Sequence, residues 1–317
     1  MPTPDPADVT LRCADFDAAL TAYTDELGFR LDMIFPADAP RLARLSGHGL
    51  TLHIERGNNR PREDGKRSAG VVIARADNDW GSGRAGMQYR DLLTGRDGGR
   101  YIASHIRIPD GGPVPDYVHH HGVRFRLIFC RRGWVRVVYE DQGEPFVMRE
   151  GDCVLQPPHI RHRVLESSAG MEVVEISSPA EHETYVDHEL ALPTSTLDPG
   201  REWDGQRFAH HRADGAKWRA WRLAGYDCRD TGIAAASGGR VGAAVVRANG
   251  DASAGHIKND ADFAMFFVLE GSAVLEAGAQ HELRVDDCCF VATGERYRFS
   301  ATSPDFAFFE VTSPPAA

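Results

Sequence analysis

Residues 117–121 read Tyr-Val-His-His-His, and this stretch determines how the rest of the chain is interpreted. Side chains alternate between the two faces of a β-strand, so His119 and His121 are expected on one face and His120 on the other. A further histidine, His162, follows on a later apparent strand. Two imidazoles from one strand and one from another can converge on a single metal ion inside a barrel. Neutral imidazole binds iron, copper, nickel and zinc, so the ligand type alone does not select the metal.

The composition is that of an ordinary globular protein: 317 residues, 42% hydrophobic and 26% charged. A net charge of −10 and a pI near 5.8 argue against nucleic acid or an anionic membrane as the main partner. No apolar run approaches the ~20 residues that span a bilayer, and the polar, proline-rich residues 1–6 are unlike a signal peptide. The six cysteines have no CxxC spacing. We therefore expect a cytoplasmic protein with reduced thiols.

Residues 1–56 have the pattern of a small α+β module. A short strand precedes a helix that Asp15 or Asp17 can cap and that Gly28 can end. Three strand-like pieces then follow at 30–35, 41–46 and 50–55.

This βαβββ order, with Ala22-Tyr23 and Glu26-Leu27-Gly28-Phe29, resembles one module of the vicinal oxygen chelate (glyoxalase/bleomycin-resistance) family. Members of that family normally pair two modules around one metal ion. Only one module is visible here, and the family's first-strand histidine has no counterpart. The resemblance therefore implies a structural or dimerising role, and residues 57–86 read as a linker.

From Met87 onward the chain repeats itself. Gly-Gly-Arg at 98–100 returns at 238–240, and residues 175–179 return at 310–314. The interval is far longer than in solenoid repeats, so the copies are duplicated domains, and their short strands between Gly, Pro and Asp turns favour small all-β barrels. The expected divisions are a first barrel at 87–179, a connecting segment at 180–221 and a second barrel at 222–317.

The first copy resembles the cupin family. The family's first motif is met at Gly112, His119, His121 and Gly133, and its second at Gly151, Pro157 and His162, with His159 in place of a glycine. The resemblance implies a mainly β chain with two tandem double-stranded β-helix (jelly-roll) barrels. It also implies that His119, His121 and His162 are metal ligands. The acidic ligand of the family falls on Arg126, which leaves a three-histidine site similar to those of gentisate, diketone-cleaving and thiol dioxygenases.

Four other residues are candidates for the site. Arg126 is expected to bind a substrate carboxylate or enolate, or else to form an ion pair with Glu172 or Glu175 in the core. Gln156 and Tyr117 are candidate polar groups of the pocket. His159, next to the ligand strand, is expected to be either a base near the metal or a surface residue.

The second copy lacks this ligand set. His256 and Lys258 are expected to correspond to His119 and His121, and Tyr297 to His162. A protonated lysine has no lone pair for a metal. We therefore expect a second barrel without a metal site.

These expectations together favour a mononuclear non-haem Fe(II) dioxygenase that acts on a small, anionic, phenolic or enolic compound with O₂. Zinc, nickel, manganese and copper remain alternatives for the metal. A metal-assisted isomerase or lyase that does not use O₂ and a non-catalytic small-molecule-binding protein remain alternatives for the function. Neither nucleic acid nor membrane is expected as a partner, and a homodimer is left open.

Overall fold

The structure is a computed structural model that describes residues 7–57, 67–82, 86–250 and 255–314. The predicted polar N-terminus and residues 58–66 and 83–85 of the predicted linker lie outside the described residues. Strands make up 49% of the structure and helices 7%, which confirms the mainly β class. Among the described helices, none combines the length and the apolar character that crossing a membrane requires.

The N-terminal module has the predicted βαβββ order. Asp15 caps its helix, because its carboxylate accepts a hydrogen bond of 3.0 Å from the Ala18 amide. Gly28 follows the helix with a φ of +71°. The fully buried ring of Phe16 belongs to the core beneath the sheet. The elements are β1 (Ala7–Cys13), α1 (Phe16–Thr21) with a π-helical turn at Ala22–Glu26, β2 (Arg30–Phe35), β3 (Leu42–Gly47) and β4 (Leu50–Arg56), in the sheet order β1-β4-β3-β2.

The first barrel consists of two sheets whose facing sides share an apolar core. One contains β10-β15-β12-β13, with β9 paired to β15, and the other contains β14-β11-β16-β8-β7-β6. The elements, preceded by β5 (Val71–Ala74) and β6 (Gly81–Ser82), are β7 (Gln88–Asp91), a helical turn at Arg96–Gly99, β8 (Ile102–Ile108), β9 (Gly112–Pro113), β10 (His119–His121), β11 (Phe125–Arg132), β12 (Trp134–Tyr139), β13 (Phe146–Arg149), β14 (Cys153–Gln156), β15 (His162–Ser167) and β16 (Met171–Ser178).

The connecting segment takes part in the sheets. Its first strand pairs with β2 on one side and with β10 on the other, so the N-terminal module continues the sheet that carries His119 and His121. Its strand at Ala209–His211 pairs with β14. The strands are β17 (Thr184–Val186), β18 (Glu202–Trp203), β19 (Gln206–Arg207), β20 (Ala209–His211) and β21 (Arg219–Ala220).

The second barrel repeats the arrangement. Its sheets are β21-β22-β23-β30-β25-β28-β5 and β24-β29-β26-β27, so β5 of the predicted linker is an edge strand of this barrel. The elements are β22 (Tyr226–Asp230), a helical turn at Ile233–Ala236, β23 (Gly242–Ala248), β24 (Ile257–Lys258), β25 (Phe263–Glu270), β26 (Ser272–Ala277), β27 (Ala279–Arg284), β28 (Cys288–Ala292), β29 (Arg296–Ser300) and β30 (Ala307–Ser313).

A glycine recurs at the same turn of both barrels, as Gly133 and Gly271, for a structural reason. Gly133 and Gly271 have φ values of +72° and +66°, and a Cβ atom at either position would collide with a serine hydroxyl, of Ser168 or Ser303. Glycine avoids both the positive-φ strain and the collision. The repeat therefore preserves a backbone requirement.

The two barrels pack sheet against sheet. Phe129 stacks on Phe309 at 4.3 Å between ring centroids, and Tyr101 stacks on Phe263 at 4.3 Å. Strands such as β28 are consequently buried on both faces, which accounts for their continuous apolar sequence.

Candidate metal centre

Three buried histidines meet at one end of the first barrel. His119 and His162 are direct cross-strand partners on β10 and β15, and His121 shares the inward face of β10 with His119. Their exposed fractions are 1%, 5% and 4% for His119, His162 and His121. One ring nitrogen from each lies within 4.8 Å of the others. The alternation predicted from the sequence thus brings these side chains together.

Hydrogen bonds orient each imidazole. His119 and His162 each donate from Nδ1 to the backbone carbonyl of the residue two positions earlier, at 2.8 and 3.0 Å. A carbonyl can only accept, so the proton lies on Nδ1 and Nε2 carries the lone pair. The His121 Nδ1 lies 2.9 Å from the Thr184 hydroxyl, which can accept in the same way. Such partners of the second ring nitrogen are typical of metal-binding histidines.

The electrostatics fit a divalent cation. Burial lowers the pKa of His121 and of His162 well below the ordinary histidine value, and the positive charge of Arg126 and the neighbouring imidazoles lower it further. Both rings are therefore neutral at pH 7, as ligands must be. The buried Nε2 of His121 has no hydrogen-bond partner among the described residues. An unpaired buried nitrogen in a neutral imidazole cluster is the chemistry that a metal ion satisfies.

A cavity of about 80 Å³ adjoins the cluster between the two sheets. Most of its wall is apolar. The apolar lining is Met87, Ile106, Ile108, Ile128, Val135, Val137, Met148, Val164, Met171 and Val173, with Tyr89 and Tyr139. The charged and polar lining is His119, His162, Arg126, Gln156 and Glu175.

Arg126 lines the cavity and forms an ion pair. Its Nη2 lies 2.6 Å from the Glu175 carboxylate, so the pairing foreseen as the alternative to substrate binding is present. Arg124, two residues earlier in the chain, is exposed, because β11 begins only at Phe125.

Gln156 also lines the cavity, and the tyrosine beside it was missed. The Gln156 amide donates to the Tyr139 hydroxyl at 2.7 Å. Tyr139 is the cross-strand partner of His162 and its ring lies 5.5 Å from that imidazole. Burial raises the pKa of Tyr139, so its hydroxyl stays protonated. Its position directly before the turn that follows β12 carries no motif, and only the strand register reveals it.

Tyr117 and His159 are not among the residues that line the cavity. Tyr117 contributes its carbonyl to His119 and packs its ring edge-on to the same imidazole at 5.8 Å. His159 is exposed, with a φ of +63°, and its Nδ1 lies 3.2 Å from that of His120 on the outer face of β10. Of the two expectations for His159, the surface position is the one observed, because the Pro-Pro turn carries it outside the barrel. His182, in the connecting segment, is buried with its ring 5.6 Å from His121.

The second barrel corrects the predicted correspondence by one residue. His119 pairs with His162, and the equivalent pair in the second barrel is Ile257 with Tyr297. The His159 amide donates to the His121 carbonyl, and the equivalent bond joins Gly294 to Asn259. The counterparts of the β10 histidines are therefore Ile257 and Asn259, whereas His256 and Lys258 are exposed. A shift of one residue turns every side chain of a strand to the opposite face, so the predicted correspondence had selected the wrong face.

An ion pair fills the place of the metal site in the second barrel. Glu310 occupies the position of Glu175, because each lies opposite the corresponding residue of the neighbouring strand. Arg222, from the segment after β21, bonds both to Glu310 (2.8 Å for Nη1 to Oε2) and to the Tyr297 hydroxyl (2.7 Å). Tyr297 was correctly expected in the place of His162. Among the described residues, the histidine cluster of the first barrel is the one group of three or more His, Cys, Asp or Glu side chains placed to hold a metal ion.

Comparison with known proteins identifies the fold. The sequence matches no protein-family model and no curated protein. Solved structures of cupin type do match. Protein Ylba from E. coli superposes with a TM-score of 0.58 at 10% identity, over 81% of this chain and 96% of that one. A variant of oxalate decarboxylase from Bacillus subtilis gives 0.55 at 13% identity, over 81% of both chains. Salicylate 1,2-dioxygenase from Pseudaminobacter salicylatoxidans gives 0.55 at 14% identity, over 71% and 76%. At these identities the likeness is one of fold.

Proposed function

We propose that this two-barrel cupin protein is a mononuclear metal-dependent enzyme, a non-haem Fe(II) dioxygenase that acts on a small phenolic, enolic or carboxylate-bearing compound. The proposed ligands are His119, His121 and His162. The observation that carries the proposal is a cluster of three buried imidazoles with no carboxylate among them, next to a mostly apolar cavity. A neutral ligand set leaves a divalent ion its full charge, which favours an oxygen-rich ligand.

A bound iron(II) ion would supply the redox chemistry for O₂ and coordination positions left open by three protein ligands. The chain's own residues bind and orient the substrate. Gln156 and Arg126 project from adjacent strands into the cavity and can hydrogen bond to substrate oxygens. Tyr139 holds the Gln156 amide in place. The aliphatic and methionine side chains exclude water from the remainder of the cavity.

Three further residues would position the proposed ligands. Thr184 fixes His121 through its hydroxyl, and Tyr117 fixes His119 through its carbonyl. Asp116 lies 3.5 Å from the same Nδ1 of His119 and stabilises the orientation electrostatically. These contacts favour a preformed site over one that assembles on binding.

A second candidate is a metal-assisted reaction without O₂, such as a decarboxylation. One of the similar structures is an oxalate decarboxylase, and the fold is compatible with either reaction class. The same three histidines would then hold a metal that acts as a Lewis acid.

Oxygen uptake distinguishes these candidates. Protein purified anaerobically and loaded with iron(II) would be mixed with a panel of small phenols, enols and 2-oxo or hydroxy acids in an oxygen electrode. The dioxygenase proposal predicts stoichiometric O₂ consumption with one class of compound, which a His119→Ala/His162→Ala variant loses and a His120→Ala control retains. Turnover without O₂ consumption would support the second candidate, and turnover in the double variant would contradict the proposed site.

A further inference from the structure

The charges of Arg126 and Glu175, which line the cavity, affect which substrates it can bind. Arg126 and Glu175 are both largely buried, with side chains 11% and 12% exposed, and they are 2.6 Å apart. Their charges cancel. In the described part of the chain, only Nη2 of Arg126 bonds to Glu175, so a substrate carboxylate at the guanidinium would share it with Glu175, and one of the two buried negative charges would lack a counter-ion. The cavity therefore disfavours anions at this position.

The second barrel has a glutamate at the position that corresponds to Glu175. Glu310 is the counterpart of Glu175, and it too is paired with an arginine, Arg222, which reaches it from a different part of the chain. In both barrels a glutamate on the last long strand neutralises an arginine. This correspondence also supplies a matched control, since Glu310 lies outside the cavity of the first barrel.

The unused hydrogen-bonding atoms define what the cavity can bind. Among the described residues, the buried Oε1 of Gln156 and the buried Nε of Arg126 have no partner. The amide nitrogen of Gln156 faces the Tyr139 hydroxyl, so its oxygen is the atom left over. Gln156 and Arg126 are direct cross-strand partners, and the Cβ atoms of such pairs lie about 4.5–5.5 Å apart. One acceptor and one donor therefore belong to the side chains of a cross-strand pair that lines the cavity, which matches a hydroxyl group next to a carbonyl oxygen.

The remaining volume limits the size. The cavity measures about 80 Å³, and a site for one water molecule takes roughly 10–15 Å³ on the same kind of measure. There is room for about five to eight non-hydrogen atoms. The walls beyond the polar groups are aliphatic or thioether side chains, so the body of the ligand is apolar.

We propose that the cavity selects an uncharged molecule of this size that carries a hydroxyl group beside a carbonyl oxygen, and that Glu175 determines this selectivity by neutralising Arg126. The inference rests on the proposed function in one respect, namely that this cavity receives the substrate. It narrows the substrate class by excluding compounds whose carboxylate would pair with Arg126. Gln156 accepts from the hydroxyl, and the Arg126 Nε–H donates to the carbonyl.

Binding of three probes of equal size tests this selectivity. Pivalate and 3-hydroxy-3-methylbutan-2-one have the same carbon and oxygen content and differ in charge, and 3,3-dimethylbutan-2-one lacks the hydroxyl. Affinities for the metal-loaded full chain are measured by calorimetry or ligand-observed NMR. The wild type is expected to bind the hydroxyketone at least tenfold more tightly than pivalate and than the simple ketone. The same affinities are measured for the metal-free chain, where pivalate has no metal to contact, and equal affinity of that form for pivalate and the hydroxyketone would overturn the proposal without any variant.

Variants then isolate Glu175. Glu175→Gln is expected to tighten pivalate binding at least tenfold, and Arg126→Gln in the same chain to remove that gain. Glu175→Asp, which keeps the charge, and Glu310→Gln, the matched loss of a buried carboxylate in the second barrel, are expected to retain the wild-type ratio. Direct contact of pivalate with the metal is common to all variants and cancels in the comparison. An unchanged ratio in a folded Glu175→Gln protein would refute the role of Glu175. Because the assay needs no turnover, failure of the dioxygenase proposal would leave these ratios unaffected.

Discussion

Replacing Thr184 by valine should weaken metal binding without changing a proposed metal ligand. Thr184 is 3% exposed and lies on β17, opposite His121 on β10, and its hydroxyl is 2.9 Å from the His121 Nδ1. Valine has nearly the same shape, so no cavity forms. Without metal, the imidazole proton can move to Nε2. Metal binding forces the proton back to Nδ1, where valine offers no acceptor.

The magnitude follows from that unpaired group. Leaving a buried donor without its acceptor costs about 1–3 kcal/mol. Loss of a partner that orients a metal-binding histidine typically lowers affinity about 10–100-fold, which corresponds to roughly 1.4–2.7 kcal/mol. The two figures agree, so the Thr184→Val variant should bind Zn²⁺ about 10–100-fold more weakly.

Competition against a chromophoric zinc chelator measures this affinity directly. Thr184→Ser keeps the hydroxyl and should stay within a few-fold of the wild type. A Thr184→Val protein that folds normally and binds zinc as tightly as the wild type would refute the claim that this hydroxyl fixes the tautomer of His121.

Three other changes have defined outcomes. Tyr139→Phe removes the hydrogen bond to Gln156 and should cost about 1 kcal/mol of unfolding free energy in a denaturant titration; no loss would mean that the bond is not formed in solution. Arg222→Met leaves Glu310 buried without its counter-ion and should lower the free energy of unfolding by about 3–5 kcal/mol, without creating a metal site. Thermal melting measures the stability and a metal assay the metal content; a clearly smaller destabilisation would contradict this prediction. Burial lowers the pKa of His105, so the unfolded chain takes up this proton first as the pH falls. The stability that His105 contributes is therefore present above its unfolded pKa of about 6.5 and is lost below it. A His105→Gln variant should show a weaker loss of stability between neutral and mildly acidic pH, and an identical profile would contradict this reasoning.

The histidine site could be predicted because it depends on local rules. Strand alternation places His119 and His121 on one face, and two independent spacings agree with one motif. The duplicated fold followed from a repeat whose glycines, such as Gly133, are fixed by backbone geometry. Such requirements are written in short stretches of sequence.

The features of the site that depend on contacts between distant parts of the chain could not be predicted from the sequence. Nothing near Thr184 in the sequence indicates that it supports His121, because the two meet only through the pairing of β17 with β10. The sequence predicted an ion pair of Arg126 with either Glu172 or Glu175. Only the register between β11 and β16 identifies Glu175 as the partner.

The second barrel shows a further limit. The sequence alone assigned His256 to the place that Ile257 occupies, and only the pairing of Ile257 with Tyr297 corrects this. An error of one residue in the assignment of a strand exchanges its inner face for its outer face, so every side chain is placed on the wrong side.

The most direct test of the account is the metal content of anaerobically purified protein, measured by elemental analysis for the wild type, a His119→Ala/His162→Ala variant and a His120→Ala control. The account predicts close to one divalent metal ion per chain in the wild type and the control, and none in the double variant. Metal that persists in the double variant would contradict the assignment of the site to the three inward-facing histidines of the first barrel.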